Sequence, residues 1–276
     1  MNVEPRTGPF ETFTLRDWRV ERWAALSSTS DRARELALAG DTGRVWIVAD
    51  EQLAGRGRQG RAWASPPGNL YVSALLIDPC ETEFAPQLGF VAGVAAQRAA
   101  ADLCVPARLK WPNDLAVDGA KLAGLLVEGV SLPGRRLAAM VGVGVNVVSS
   151  PEGLAYPTTS LTQCAGAPRT ARALLERLVP RFDEALAIWG RGAGFARIRE
   201  AWLATAAGLG GPIRVSNANG AREGRFEGLD ARGRLILNRN GVLETIESAD
   251  ITLIPMVSGT APAAPVESVA MKAAST

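Results

Sequence analysis

The chain has 276 residues, of which 47% are hydrophobic and 21% charged, and its formal net charge is +2. Such a composition is typical of a globular protein with a buried core, and the small net charge gives no strong attraction to nucleic acid or membrane. Histidine is absent, which excludes His-ligated zinc and Ser-His-Asp catalysis. Three widely spaced cysteines, with no long apolar run and no signal-like N-terminus, predict a cytoplasmic protein.

Strands and helices alternate in the first part of the sequence. Apolar patterning predicts a strand over 18–26, a helix over 31–40 capped by Thr29 or Ser30, a strand over 44–52, a loop over 53–68, a strand over 69–78 and a helix over 87–103. Extended segments follow, and Asp118-Gly119 predicts a type I′ hairpin between two of them. A loop over 151–168 and helices over 170–189 and 194–207 complete this part. The pattern indicates an α+β fold with a mixed, largely antiparallel sheet flanked by helices.

After a glycine-rich linker at 208–211 the pattern changes to short alternating strands. Turns are expected at Asn219-Gly220, Arg232-Gly233 and Asn240-Gly241, which favours a small C-terminal β-barrel. We therefore divide the chain into a flexible N-terminus (1–15), a main domain (16–208), the barrel (209–254) and a disordered tail (255–276).

The loop GRGRQGR contains the spacing G-x-G-x-x-G at Gly55, Gly57 and Gly60. A dinucleotide-binding fingerprint must open a helix, and the following residues 62–68 (AWASPPG) cannot form one. Three arginines stand in this loop, however, and its glycines allow backbone N–H groups to converge on an anion. Because like charges repel, we expect the empty loop to be mobile and to order around a polyanion.

Lysine is rare in this chain. Of 30 basic residues only Lys110, Lys121 and Lys272 are lysines, so the other 27 are arginines. Lys110 opens the run KWPND, and Lys121 opens KLAGLLVEG, where its neighbours are apolar. A lysine among apolar neighbours either extends its ammonium group to water at the surface or binds an anion with it. We favour anion binding. In the strand VGVGVNV, two glycines precede Asn146. Glycines inside a strand indicate either that a ligand approaches the backbone closely or that two packed elements cross there.

Taken together, these motifs resemble those of the biotin protein ligases. The similarity covers about residues 20–254 and rests on SST (27–29), EQLAGRGRQGRAW (51–63), KWPNDL (110–115), KLAGLLVE (121–128) and VGVGVNV (141–147), in that order. The resemblance implies a catalytic domain like those of class II synthetases, followed by an SH3-like barrel. It also implies an enzyme that uses ATP and Mg²⁺ to convert biotin to biotinyl-5′-AMP, and then transfers biotin to a lysine of a carrier domain.

The resemblance also implies roles for individual residues. The implied catalytic residues are Arg56 and Arg58 on the phosphates, Lys121 between the biotin carboxylate and the α-phosphate, and Asp114, which would either contact Mg²⁺ or accept the proton of the incoming amine. The implied binding residues are Ser28, Thr29 and Gln52 at the ureido ring, Gly55 and Gly124 where the ligand approaches closely, Leu126 as apolar wall, Trp63 over the loop, Asn113 in KWPND and Asn146 at the adenine.

The implied partner is the biotin carboxyl carrier domain of acetyl-CoA carboxylase or a related carboxylase. About 25 residues precede Ser27, too few for a helix-turn-helix, so we expect a short form of the enzyme that binds no DNA. We also expect no membrane binding. A homodimer is compatible with the sequence. A lipoate ligase or octanoyltransferase of the same superfamily is the nearest alternative, although the polar Gln52 favours a bicyclic polar head group. A nucleic-acid-binding module is a further alternative, which the small net charge disfavours.

Overall fold

The computed structural model describes residues 8–217 and 220–254. Eight strands form the main sheet: β1 (Glu11–Leu15), β2 (Trp18–Leu26), β3 (Val45–Gln52), β4 (Leu70–Ile77), β5 (Arg108–Lys110), β6 (Asp114–Val117), β7 (Ala120–Leu132) and β8 (Arg136–Val145). Their order across the sheet is β1-β2-β3-β4-β8-β7-β6-β5. β2 and β3 pair in parallel, and the other neighbours in the described part of this sheet pair antiparallel. The predicted α+β class with a largely antiparallel sheet is confirmed.

Helices cover both faces of this sheet. The helices are α1 (Thr29–Leu38), α2 (Leu88–Ala101), α3 (Leu161–Ala165), α4 (Ala171–Trp189) and α5 (Phe195–Ala204). α1 packs on one face, where its alanines meet a small core around Ile47 and Met140. α2, α4 and α5 cover the other face, where the larger core contains the rings of Trp18, Trp46 and Phe182. Burial of these two apolar faces is the main source of stability for the domain.

Two local predictions were wrong. α1 begins earlier than expected, because Ser28, and neither Thr29 nor Ser30, is its N-cap and accepts a 3.2 Å hydrogen bond from the Ser30 backbone N–H. The predicted flexible N-terminus (1–15) is wrong for residues 11–15, which form β1 and pair with β2. The alternation of Phe13 and Leu15 with polar residues supplies an apolar face that packs against the larger core.

The turn and loop predictions gave mixed results. Asp118 and Gly119 have φ of +49° and +80°, as a type I′ hairpin between β6 and β7 requires, so that prediction is confirmed. The expected loop over 151–168 contains the short helix α3, whose N-cap is Ser160. Among the described residues between the glycine-rich loop and β4 there is no α-helix, so the helix that a dinucleotide fingerprint must open is missing there.

The C-terminal residues form a second, five-stranded antiparallel sheet. Its strands are β9 (Pro212–Asn217), β10 (Gly220–Leu229), β11 (Leu235–Arg239), β12 (Val242–Ile246) and β13 (Asp250–Leu253), in the order β12-β11-β10-β9-β13. Asn219 of the first expected turn and the expected tail (255–276) lie outside the described residues. The boundary that we drew at residue 209 falls between α5 and β9 and stays a prediction.

A hydrogen bond from Trp111 helps to hold the C-terminal sheet against the main domain. Trp111 of the KWPND segment donates from Nε1 to the Gly233 carbonyl at 3.1 Å. A Cβ at Gly233 would lie 2.6 Å from the ring of Phe90 on α2, and φ there is +83°, so this turn requires glycine. The sheet is thereby held beside the edge at which β5 and β6 meet. Within the described ranges, no helix has the length and apolarity needed to cross a membrane.

Candidate active site

A cavity of about 530 Å³ lies between the main sheet, the glycine-rich loop and β13. Its lining includes eleven of the thirteen residues predicted for the site: Ser28, Thr29, Gln52, Arg56, Arg58, Trp63, Asn113, Asp114, Lys121, Gly124 and Leu126. The other two, Gly55 and Asn146, do not line it. Segments that are far apart in sequence therefore meet in one place, as a ligand site requires. The functional role of each residue stays a prediction.

Neutral hydrogen-bonding groups form one end of the cavity. Gln52, at the end of β3, accepts through Oε1 from the backbone N–H of Thr29 at 2.9 Å and from its hydroxyl at 3.1 Å. Ser73 on β4 lies with its Oγ 2.8 Å from Thr29 Oγ1 and 3.1 Å from Ser30 Oγ. Ser73 is fully buried and was not identified from the sequence. This neutral end is rigid because its polar groups hold one another.

Gln52 also links this end to the loop. Its Nε2 donates to Ser65 Oγ at 3.1 Å, and Ser65 Oγ in turn donates to the Trp63 carbonyl at 3.1 Å. A Cβ at Gly55 would lie 2.7 Å from both of those oxygens. Gly55 is thus required by the packing of the loop on itself. Close approach of a ligand to Gly55 stays a prediction.

The floor in the middle of the cavity consists of glycine backbone. Gly124 on β7 and Gly144 on β8 are register partners, and the indole of Trp63 lies on both. A Cβ would come within 2.9 Å of that ring from Gly124 and within 2.8 Å from Gly144. Leu126 continues the floor as apolar surface. These glycines let a flat ring rest directly on the sheet.

Charged side chains form the other end. Lys121 Nζ lies 2.8 Å from Asp114 Oδ1, and it also lies 5.3 Å from the ring centroid of Trp63 and 5.6 Å from that of Tyr156. Lys110 lines the same end, and burial, reinforced by the nearby charge of Lys121, lowers its pKa. Both lysines of the motifs therefore face the cavity, which fits the hypothesis that they bind an anion.

The C-terminal sheet contributes to this cationic end. Arg58 donates to Ser248 Oγ at 2.7 Å and to the Ala249 carbonyl at 3.3 Å, and Arg61 forms a two-bond pair with Asp250 at 3.0 Å for each bond. Asp250 belongs to the lining and could not have been identified from its sequence neighbourhood. Two of the three loop arginines therefore tie the loop to residues 248–250, where β13 begins.

The third arginine, Arg56, pairs with the main domain. Its two Nη atoms donate to the Asp31 carboxylate at 2.7 and 2.8 Å, and Glu128 Oε1 lies 3.6 Å away. Repulsion among the arginines predicts an empty loop that is mobile and orders around a polyanion, and this stays a prediction. In the structure, carboxylates from α1, β7 and β13 offset part of that repulsion.

The two predicted asparagines differ in their accessibility. Asn113 lines the cavity, donates to the Leu125 carbonyl at 2.6 Å and accepts from Arg58 at 3.4 Å. Asn146 is buried, and its amide donates to the carbonyls of Thr159 at 3.1 Å and Lys121 at 3.4 Å. Asn146 therefore holds the strand that carries Lys121, and the adenine contact implied for it stays a prediction.

The donor chemistry limits how a metal could be held. Five cationic side chains and three carboxylates line the cavity, and the described residues contain no group of three His, Cys, Asp or Glu arranged to hold a metal ion. Mg²⁺ usually binds to one or two carboxylates together with substrate phosphates. The residues therefore fit a magnesium ion that arrives with a nucleotide, and Asp114 is the predicted protein contact.

Comparison with known proteins places the chain in a family. Residues 24–146 match the model of the biotin/lipoate A/B protein ligase family, and residues 208–253 match that of the biotin protein ligase C-terminal domain. The fold and its cavity thus define a ligase of this superfamily.

Individual relatives show which branch of this superfamily the chain resembles. The chain is 38% identical over 240 residues to the biotin–[acetyl-CoA-carboxylase] ligase of Paracoccus denitrificans, covering 83% of this chain and 98% of the relative. It is 33% identical to the bifunctional ligase/repressor BirA of Bacillus subtilis (strain 168), covering 83% of this chain and 72% of the relative. The structure of the Aquifex aeolicus biotin protein ligase in complex with biotin and ATP is similar, with a TM-score of 0.73, 28% identity, and coverage of 85% of this chain and 99% of that one. The chain belongs to the biotin protein ligase family.

Proposed function

We propose that this protein activates biotin with ATP and transfers the biotinyl group to a lysine of a biotin carboxyl carrier domain. The observation that carries the proposal is one cavity in which a neutral hydrogen-bonding end is joined across a glycine floor to a cationic end. Biotin has the matching polarity, with a neutral ureido ring at one end and a carboxylate at the other. The cationic end suits the phosphates of ATP.

In the first half-reaction the biotin carboxylate attacks the α-phosphate of ATP, which forms biotinyl-5′-AMP and releases pyrophosphate. Two anions must meet, so cations are needed to offset their repulsion. Lys121, within the cavity and between two aromatic rings, is the group that we assign to the junction of carboxylate and α-phosphate. Arg56 and Arg58 are assigned to the phosphates and the new acyl phosphate. Mg²⁺ bound with ATP would supply further charge neutralisation beside Asp114.

In the second half-reaction the ε-amine of the carrier lysine attacks the acyl carbon, an amide forms and AMP leaves. The protein must hold the mixed anhydride away from water until the amine arrives. The loop over the cavity and the indole of Trp63 are the parts that we assign to this shielding. Asp114 remains our candidate for accepting the proton of the incoming amine, if it is not a magnesium contact.

The match to the family model alone would also allow lipoate as substrate, because that family includes lipoate ligases. Two observations favour biotin. The match to the biotin protein ligase C-terminal domain is one. The other is that the neutral end contains four polar side chains (Thr29, Ser30, Gln52 and Ser73), which suit a ureido ring better than an apolar dithiolane.

The test combines two measurements on the purified protein. Pyrophosphate release is measured with ATP, Mg²⁺ and either biotin, lipoate or octanoate. A carrier domain of acetyl-CoA carboxylase is then added, and the mass increase of one biotinyl group on its lysine is measured. We expect turnover with biotin and the mass increase on the carrier. Turnover with lipoate but not with biotin would overturn the proposal in favour of the lipoate alternative.

The carrier as partner and the cytoplasm as location are part of the same proposal. The three cysteines are free in the structure, as a reducing compartment would keep them. Whether the protein forms a homodimer is measured by light scattering with and without biotin and ATP.

A further inference from the structure

Asp31 lies in the first turn of α1, outside every motif that indicated the site, yet it makes the shortest contacts of a loop arginine with the main domain. The Asp31 carboxylate accepts two hydrogen bonds from Arg56, at 2.7 and 2.8 Å. We propose that Asp31 is a positioning residue, which fixes the Arg56 guanidinium in the cavity wall and anchors this side of the loop. This inference rests on the proposed function, in which Arg56 contacts the reacting anions.

The placement of Asp31 makes it suitable for this task. A carboxylate in the first turn of a helix is stabilised by the helix dipole and by the unpaired backbone N–H groups there. The two-bond pair with Arg56 lowers the pKa of Asp31, so the carboxylate stays ionised at neutral pH. The helix is itself anchored, since Thr29 bonds to Gln52 and Ser73 in the neutral end. Asp31 therefore holds Arg56 from a rigid support.

Glu128 is a second carboxylate beside the Arg56 guanidinium. Its Oε1 lies 3.6 Å from the guanidinium, and its Oε2 is buried without a hydrogen-bond partner in the described structure. If Arg56 swung away, both carboxylates would lose their counter-charge in a partly buried place, which is unfavourable. A guanidinium has five N–H groups and only two of them bond to Asp31, so Arg56 can be held there and still donate to an anion in the cavity.

The loop itself needs such an anchor. Its backbone closes on itself through bonds from Gly57 N–H to the Arg61 carbonyl at 2.7 Å and from Trp63 N–H to the Gly55 carbonyl at 2.9 Å. Its three glycines allow the hairpin to change its orientation on the main domain, so ion pairs of its side chains fix that orientation. Arg61 ties one side to Asp250, and Arg56 ties the other to Asp31.

The experiment compares Asp31→Asn, which keeps the shape but removes the charge, with Glu35→Gln. Glu35 lies on the same helix and pairs with Arg32 at its surface, away from the loop, so it is a matched control. For Asp31→Asn we expect kcat/KM for biotin-dependent pyrophosphate release to fall on the order of tenfold, because a misplaced guanidinium stabilises the transition state less well. Glu35→Gln should retain the wild-type rate. A wild-type rate in Asp31→Asn would overturn the inference.

A second readout needs no activity. Trypsin cleavage after Arg58 is timed without substrates, and we expect both Asp31→Asn and Arg56→Ala to be cleaved faster than the wild type. Adding Asp31→Asn to Arg56→Ala should not increase the cleavage rate further, since Asp31 acts through Arg56. Additive effects would show that Asp31 acts elsewhere and would overturn the inference.

Two controls separate the possible failures. Asp31→Ser keeps a polar side chain in the first turn of α1 but is too short to reach Arg56, so it should behave like Asp31→Asn even if one of the two folds poorly. If the wild type fails to biotinylate any carrier, the proposed function is wrong, whereas the trypsin comparison still tests the positioning of the loop.

Discussion

The two ends of the cavity are built on different principles. The neutral end consists of short side chains on α1, β3 and β4 that hydrogen-bond to one another, and Ser73 there is fully buried. The cationic end consists of long charged side chains from the loop, β5 to β7 and β13, which pair across the boundary between the two sheets. The neutral end is held in place by its own hydrogen bonds. The cationic end is held by ion pairs, and a bound polyanion can replace the carboxylates in those pairs.

This difference explains how one cavity can serve two half-reactions. A head group is recognised by preorganised hydrogen-bonding groups, because a ligand that cannot bond to them leaves buried polar atoms unpaired and is rejected. Phosphates must enter and leave, and ion pairs with partly exposed partners can exchange for them at small cost. The glycine floor, Gly124 and Gly144, connects the two ends without itself selecting either.

The largest effect is expected at the cationic end, from Lys121→Arg. The charge is retained, but a planar guanidinium is larger than an ammonium and would not fit between Asp114 and the two rings. Biotin-dependent adenylation, measured as pyrophosphate exchange, should fall by about 100-fold or more. Lys272→Arg, which changes the third lysine of the sequence in the same way, is the control. A near-normal rate in Lys121→Arg would contradict its assigned role.

An intermediate effect is expected on the floor, from Gly144→Ala. The new Cβ would lie 2.8 Å from the Trp63 indole, so the ring must move. We expect KM for biotin to rise on the order of tenfold, with a smaller change in kcat, since the displaced ring would narrow the space for the ligand and takes no part in the reaction. In Gly129→Ala, also in the sheet, the new Cβ meets the flexible end of Leu137 at 3.3 Å and should leave KM unchanged. An unaltered KM in Gly144→Ala would mean that ligands do not use this floor.

The smallest effect is expected at the neutral end, from Ser73→Ala. Removing the hydroxyl takes away its bonds with Thr29 and Ser30, and we expect a loss of about 1–2 kcal/mol in the free energy of unfolding. Biotin affinity should fall several-fold and ATP affinity should not change, because the change is confined to one end. Urea unfolding and calorimetric titration measure these quantities, with the exposed Ser131→Ala as control. An equal loss of affinity for biotin and for ATP would contradict the assignment of the two ligands to different ends of the cavity.

Much of the fold could be predicted because it follows from local patterns. The strands β2, β3 and β4, the helices α2 and α4, and the Asp118-Gly119 hairpin appear close to their expected positions. Apolar periodicity and the positive φ of a turn depend on neighbours in the chain, so they can be recognised there. The N-cap of α1 was misplaced because four consecutive hydroxyl residues (27–30) precede the helical pattern and each can serve as a cap.

The motifs by themselves also determined which segments form the site, since eleven of the thirteen predicted residues line the cavity. Only the tertiary structure decided the partners of those residues. Asp31, Ser73 and Asp250 lie in ordinary sequence surroundings and reach the site because α1, β4 and β13 pack there. Electrostatic and hydrogen-bonding energies depend on distance in space, and a sequence gives distance only along the chain.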